Sequence, residues 1–381
     1  MEATNKSHQK IRLLHCIETI SSGGVDQIRL TLAKWLDKNK YELKIICTEA
    51  HGFLGEAIKG EGVEIIEVGV FKYPFHWSKH QKVLQVIRNY RPHIIHGAVF
   101  EGMTMAAVSG FIGKVPVIVL EETSCPRNRT KKAIFLQRFY SKMADRVIGI
   151  APSVVSFLVE KVGLPKDKVV LINNGVSPPE KAKDQKLIEL NEKLGLNTHD
   201  LVVGSIGRLY NDVKRFTDIL EAIRLLNNPS VKFLLVGSGK DQQLIKEFAV
   251  QAGLNDQFIE VGYKEDTSAY YRLMNVFCIA SDNEGFGLVA AEAMFHQLPV
   301  VATAVGGLKD IVVDGETGFL VPSHRPDKIA EKLQILMDEP EMRRSMGAKG
   351  LARAQQEYSA QAYVEKIHQL YQELLLEKGI K

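Results

Sequence analysis

Residues 276–303 read VFCIASDNEGFGLVAAEAMFHQLPVVAT, and three segments separate in them by chemistry alone. Val276–Ala280 is a short apolar run of strand character, Leu288–Met294 is apolar and alanine-rich as a buried helix would be, and Val300–Thr303 is again strand-like. Strand, helix and strand in so short a span predict a βαβ unit with parallel strands. The loop before the helix sets Glu284 beside Gly285, Phe286 and Gly287, and Glu292 follows inside the apolar helix. A carboxylate among Leu288, Val289, Ala290, Ala291 and Met294 is costly to bury unless something donates hydrogen bonds to it, and the vicinal hydroxyls of a ribose are such donors. A place on the solvated face of an amphipathic helix is the alternative for Glu292.

The same alternation runs outward in both directions. Strand-like runs occur at Ile11–Cys16, Leu43–Thr48, Glu64–Val68, Ile94–Ala98, Val117–Leu120, Val147–Ala151 and Val169–Asn173 in the first half, and at Val202–Gly207, Lys232–Val236, Phe258–Val261 and Gly318–Val321 in the second. Two α/β domains of Rossmann-like build are expected, because 381 residues exceed what one core of roughly 150 to 200 residues supports. Ser177-Pro178-Pro179-Glu180 and the charged KAKDQK mark the linker, giving domains over 1–178 and 179–355. Ligands of doubly wound sheets collect beyond the carboxyl ends of the strands, so a cleft between two such domains is the expected site.

Hydrophobic residues at 45% and charged residues at 25% are those of an ordinary globular chain, which excludes disordered, collagenous and coiled-coil classes. No run of about eighteen apolar residues is present, and MEATNKSHQK at the start lacks a signal-peptide core, so a cytoplasmic location is expected. Cys16, Cys47, Cys125 and Cys278 are too scattered for a zinc or disulfide framework, and reduced thiols follow. The net charge of +4 is uneven: residues 1–180 hold 25 Lys and Arg against 17 Asp and Glu, leaving 24 against 28 for the remainder. The first domain therefore faces something anionic, with Arg127, Arg129, Lys131, Lys132, Arg138, Lys142 and Arg146 opposed only by Asp145 in one stretch.

After the first strand, Ser21-Ser22-Gly23-Gly24-Val25 leads into a helical stretch. Paired glycines let a backbone approach a ligand closely, and a helix N-terminus suits a phosphate. A tight turn with Ser22 as N-cap explains the same residues. In GSIGRLYNDVKRF, Arg208 leaves a strand after Gly207 and Lys214 follows near a helix start, so both cations can converge on one anion such as a diphosphate. No D-x-D pair is present to hold a divalent metal, so side-chain cations and helix N-termini are the expected counter-charge, with no metal and no cofactor required.

Taken together these motifs resemble the retaining GT-B glycosyltransferases of GT4 type, and the resemblance spans essentially the whole chain. It is carried by Gly23-Gly24-Val25, the G-R-L…K-R-F run at 207–216, Gly237-Ser238-Gly239, Glu284-Gly285-Phe286-Gly287 with Glu292, Ala304-Val305-Gly306-Gly307 and Asp314-Gly315 with Gly318. It implies two Rossmann-like domains facing across a cleft, with a last helix near 356–376, within a segment 356–381, returning to the first domain. It also implies transfer of a sugar, with retention, from a nucleoside diphosphate sugar to a glycan or lipid-linked acceptor, as in cell-surface polysaccharide or glycolipid synthesis. UDP is expected as the nucleotide on family frequency. By the same resemblance Arg208 and Lys214 grip the diphosphate, Glu292 the ribose and Glu284 the sugar hydroxyls. Gly306, Gly307 and Leu308 present backbone N–H groups, Leu288 belongs with Gly285, Phe286 and Gly287 to the nucleotide-sugar site, Gly262-Tyr263-Lys264 pass under the base, and Gly24 meets the diphosphate from the other domain.

One departure concerns catalysis. Family members carry H-x-H after the fourth strand, whereas this chain reads Ile95-His96-Gly97-Ala98, so either His96 supplies the contact near the reacting sugar or the reaction dispenses with it. The catalytic set expected is thus Glu284, Arg208, Lys214 and His96. The polar loop EETSCPRNR at 121–129 is expected to take the acceptor. The helix after it mixes Ile134, Phe135, Phe139 and Tyr140 with Lys132, Arg138 and Lys142, which fits either an anionic membrane surface, making the protein peripheral on its inner face, or a core helix with a solvated basic side. Nucleic acid is not an expected partner. Two other readings share the shape: a nucleotide-sugar 2-epimerase, and a non-catalytic nucleotide-sugar-binding protein. A dehydrogenase is disfavoured, because no G-x-G-x-x-G follows the first strand.

Overall fold

The computed structural model describes residues 10–124, 129–179 and 184–380. The chain forms two compact units, one of Met1–Gly175 with Ala360–Lys381 and one of Val176–Ser359. In unit 1 the strands are β1 (Ile11–Cys16), β2 (Tyr41–Cys47), β3 (Glu64–Glu67), β4 (Ile94–Ala98), β5 (Val117–Glu122), β6 (Arg146–Gly149) and β7 (Val169–Leu171). They pair in parallel in the order β3-β2-β1-β4-β5-β6-β7. Unit 2 repeats the plan with β8 (Leu201–Ile206), β9 (Val231–Val236), β10 (Phe258–Glu260), β11 (Val276–Ile279), β12 (Val300–Thr303) and β13 (Gly318–Val321) in the order β10-β9-β8-β11-β12-β13. Every pairing in both sheets is parallel. In each the order reverses beside the first strand, between β1 and β4 and between β8 and β11, and that is where such sheets open a crevice for ligands.

The helices that matter below are α1 (Gly24–Trp35), α2 (Lys131–Met143), α3 (Asn211–Lys214), α4 (Ser268–Leu273), α5 (Leu288–Phe295) and α6 (Ala360–Glu377). Helices cover both faces of a parallel sheet, so its strands read as nearly unbroken apolar runs. In unit 1, Ile17, Ile20, Leu30, Ala33, Ile45, Cys47 and Ile58 pack as one cluster. In unit 2, Val203, Phe216, Ile219, Phe233, Leu235, Cys278 and Val301 do the same. Each fully buried Val, Leu, Ile or Phe among them contributes about 1.5–3 kcal/mol. Among the described residues Cys16, Cys47 and Cys278 are free thiols, while Cys125 lies outside them.

The units divide at Gly175/Val176 and Ser359/Ala360 rather than after 178 and 355. Hydrogen bonding gives the reason: the Val176 N–H donates to the Tyr358 carbonyl at 2.7 Å, and Val176 bridges Ser359, so both connecting residues belong to unit 2. The last helix accordingly begins at Ala360, after a break at Tyr358-Ser359, and packs on α1 in unit 1. No helix among the described residues is long and apolar enough to cross a membrane.

Candidate active site

In unit 2 the expected residues follow the carboxyl ends of the strands, which in a parallel sheet share one edge. Gly207 and Arg208 follow β8, Gly237 follows β9, Gly262, Tyr263 and Lys264 follow β10, the Glu284 loop follows β11, and Gly306 and Gly307 follow β12. The backbone there is tight. A Cβ on Gly237, at φ 145°, would fall 1.9 Å from the Gly207 carbonyl oxygen, and one on Gly306, at φ 46°, would fall 1.8 Å from that of Glu284. The Gly307 N–H donates to the same Glu284 carbonyl at 3.0 Å, so the Glu284 loop is clamped by the loop after β12. The buried Phe286 ring meets Tyr358 edge-on at 5.5 Å and anchors the other end of the loop, from which Gly287 leads into α5 at Leu288.

The side chains of two expected residues meet on this scaffold. Lys214, at the end of the short α3, donates from Nζ to Glu284 Oε2 at 2.5 Å, both groups being mostly but not fully buried. The Ser281 hydroxyl donates to the same oxygen at 3.4 Å. The Asp282 N–H donates to the Val213 carbonyl at 2.8 Å, tying α3 to the loop that carries Glu284. Arg208 is exposed, and Lys240 lies 4.1 Å over the Tyr210 ring two residues along. This edge gathers three cations, Arg208, Lys214 and Lys240, and the Glu284 carboxylate that pairs with Lys214. Glu292, half-buried in α5, accepts a hydrogen bond at Oε2 from the Tyr271 hydroxyl at 2.8 Å. Burial pushes its carboxyl above the usual range, and the Tyr271 hydrogen bond pulls it part of the way back. The solvated-face alternative for Glu292 is therefore not what the fold builds.

Unit 1 corrects three expectations. The helix α1 is capped not by Ser22 but at Gly23: the Asp26 carboxylate reaches back and accepts from the Gly23 N–H at 2.9 Å and the Ser21 N–H at 3.0 Å. That turn holds Gly23 and Gly24 in place. Second, His96 does not stand at an open strand end. It is fully buried, its Nδ1 shares a 2.6 Å hydrogen bond with the Tyr371 hydroxyl of α6, and its Nε2 faces Glu121 Oε2 at 3.4 Å. Beside it His15 is a register partner on β1, and the Arg29 guanidinium from α1 donates to Glu121 Oε1 at 2.7 Å. The face that His96 shares is roofed by α6, so no ligand reaches the imidazole as folded. Burial holds both His15 and His96 below the ordinary imidazole range. His15, His96 and Glu121 also have the spacing of a metal site, but the Arg29 guanidinium already fills the place of a cation against His15 and Glu121.

Third, part of the basic stretch is occupied within the protein. Arg129 pairs with Glu122 at 2.6 Å and lies over Phe157 at 5.5 Å, and Arg146 pairs with Glu373 and Glu377. Glu122 also accepts from Ser124 and Gln137, which fastens the expected acceptor loop at both ends; Cys125 and Arg127 lie outside the described residues. What stays exposed on α2 is one stripe of Lys131, Lys132, Phe135, Arg138, Phe139 and Lys142, on a helix without an acidic residue. A feature missed from the sequence lies at the crevice beyond β1 and β4. There Glu18 is held above the usual carboxylate range by burial and by the neighbouring Glu101 carboxylate. Two acids following adjacent strand ends were the available signal.

Known proteins place this arrangement. Residues 188–353 match the family described as "Glycosyl transferases group 1", and residues 22–179 match "Glycosyltransferase Family 4". The capsular polysaccharide biosynthesis glycosyltransferase CapM of Staphylococcus aureus is 25% identical over 312 residues, 78% of this chain and 80% of that protein. The N-acetyl-alpha-D-glucosaminyl L-malate synthase of Bacillus anthracis is 23% identical over 366 residues, 93% and 95% of the two chains. The crystal structure of Anabaena HepE in complex with UDP-glucose superposes with a TM-score of 0.85 at 19% identity, over 95% of this chain and 99% of that one. Paired parallel sheets, the ordered loops at their strand ends and these likenesses agree: the chain belongs to the GT4 glycosyltransferases and has the GT-B fold.

Proposed function

We propose that the chain transfers a sugar from a nucleoside diphosphate sugar, with UDP as the nucleotide, to a glycan or lipid-linked acceptor in surface polysaccharide or glycolipid synthesis, with retention of configuration. The observation that carries the reading is the Lys214–Glu284 contact at 2.5 Å, which joins two loops that reach the same sheet edge from different strands. In the reading, Arg208 and Lys214 hold the diphosphate, Glu284 the donor sugar and Glu292 the ribose. The binding of UDP-glucose by HepE and the capsular role of CapM support it. Departure of the nucleoside diphosphate builds negative charge, and preorganised cations at that point lower the barrier. The buried His96 takes no part as folded, so the leaving phosphate takes the acceptor proton on the front face of the sugar.

Unit 1 takes the acceptor. The α2 stripe, with Phe135 67% exposed among four cations, and the aromatic entry to the helix Trp77–Tyr90, where Tyr73, Phe75 and Trp77 are exposed, support an anionic membrane as the surface where it works. Phe75 lies 6.4 Å from the Tyr140 ring on the buried side of α2, so this segment packs against that helix. A thermal-shift panel of nucleotide sugars tests the donor assignment: a ligand at a hundred times its Kd stabilises the native state by about 2.7 kcal/mol. UDP-sugars should raise the melting temperature of the wild type, and not of Arg208→Ala. Absence of any shift with UDP-, GDP- and ADP-sugars, or wild-type UDP affinity in Arg208→Ala, sinks the donor assignment.

A further inference from the structure

Tyr271 lies on α4 with 1% of its surface exposed, and its hydroxyl is its only polar atom beyond the backbone. The ring is fixed on two sides, stacked on His296 at 4.9 Å with the planes 16° apart and tilted against Phe277 at 5.6 Å. Two acceptors face the hydroxyl, Glu292 Oε2 at 2.8 Å and the Val289 carbonyl at 3.3 Å. It has one proton to give. The shorter contact, to the charged oxygen, takes it, since hydrogen bonds to an ionised acceptor are the stronger kind. A glutamate on a helix otherwise samples several rotamers, and the aromatic slot removes that freedom before any ligand arrives.

We propose that Tyr271 is a positioning residue for the nucleotide: it occupies Oε2 of Glu292 and sets the carboxylate so that Oε1 receives the ribose hydroxyls. The inference rests on the reading that Glu292 takes the ribose. The donation also favours the charged form of the carboxylate, opposing the burial that pushes its pKa up. Tyr271 itself touches no substrate, so its removal weakens hydroxyl recognition without altering the groups that meet the phosphates.

The test compares UDP with 2′,3′-dideoxy-UDP by calorimetry on wild type, Tyr271→Phe and Glu292→Gln. A charge-assisted hydrogen bond corresponds to about tenfold or more in affinity, so wild type should prefer UDP by at least that factor. In Tyr271→Phe the preference should shrink by about tenfold, while affinity for the dideoxy compound stays at the wild-type value. A merely structural defect lowers both affinities together and keeps their ratio. Wild type that binds the two nucleotides equally overturns the ribose role of Glu292 and the inference with it. Wild type that discriminates, with Tyr271→Phe discriminating as strongly, overturns the inference and leaves the role of Glu292 intact.

Discussion

Glu121→Gln preserves the shape of a buried side chain and removes its charge, and the consequence falls on Arg29. The Arg29 guanidinium is fully buried, donating to Glu121 at 2.7 Å and facing His15 on its other side. With the carboxylate gone, its positive charge is buried without compensation, which typically costs about 3–5 kcal/mol. Against a total stability of about 5–15 kcal/mol that is a large fraction. Both tryptophans of the chain, Trp35 and Trp77, belong to unit 1, so tryptophan fluorescence in urea follows that unit alone. With a slope of about 2 kcal/mol per molar, the midpoint should drop by about 2 M. The pair Arg29→Met with Glu121→Leu should recover most of the loss, because exchanging both members of a buried pair for apolar groups of similar volume is often neutral. A single variant within about 1 kcal/mol of wild type, or a double variant no better than the single, refutes the assignment of this network as a compensated buried charge pair.

The same network fixes a pH dependence. His15 and His96 have folded pKa values below the usual 6.5, so beneath that pH the unfolded chain binds protons that the folded one refuses. Their contribution is complete above pH 6.5 and is lost as pH falls, at up to about 1.4 kcal/mol per pH unit for each histidine while it stays neutral in the fold. Glu121, held down to about 2 by Arg29 and His96 against its burial, adds stability above pH 4.5 that disappears between 4.5 and 2. Unit 1 should therefore lose stability already between pH 6.5 and 5.5, before carboxylates titrate, and His96→Leu should flatten that part of the curve. A fluorescence midpoint that stays level from pH 7 to 5 contradicts the neutral-histidine account.

Three further predictions concern the donor and acceptor. Glu292→Gln should weaken UDP binding by about tenfold or more, whereas Glu284→Gln should mainly lower turnover; equal losses of UDP affinity by calorimetry would show the roles to be wrongly divided. Activity should survive excess EDTA, since Arg208, Lys214 and helix N-termini supply the counter-charge; loss restored by magnesium or manganese contradicts this. Flotation with anionic liposomes should be salt-sensitive and abolished by Lys132→Glu, Arg138→Glu and Lys142→Glu together, at about 1 kcal/mol for each cation near the surface, with UDP binding unchanged. Wild type that ignores anionic liposomes at low salt removes the membrane from the proposal.

The placement of the unit 2 motifs at strand ends was legible because those motifs are local in sequence. Glu284, Gly285, Phe286, Gly287 and Glu292 lie on one βαβ passage, and the glycines that must approach a carbonyl, Gly237 and Gly306, directly follow strands. Strand ends were read to within a few residues for the same reason: apolar runs stop where the chain leaves the sheet. The partner of Glu292 was not legible, since Tyr271 precedes it by 21 positions on another helix and is one of two adjacent tyrosines in SAYYRLM. The burial of His96 was missed for a different reason. A histidine near the end of a parallel strand looks like a site residue when only its own strand is considered, and what decides the matter is a helix 275 residues away that lays Tyr371 on it. One signal was nonetheless present: His15 in IRLLHC, His96 in IIHGA and Glu121 in VIVLEE are polar residues within three mostly apolar strands, and Arg29 is a cation on a helix that must pack on them. A lone polar residue in a buried strand needs a ligand or solvent to satisfy it, whereas complementary donors and acceptors on adjacent strands can satisfy one another. Counting donors against acceptors over neighbouring strands, rather than along each, places His96 in the interior from the sequence alone.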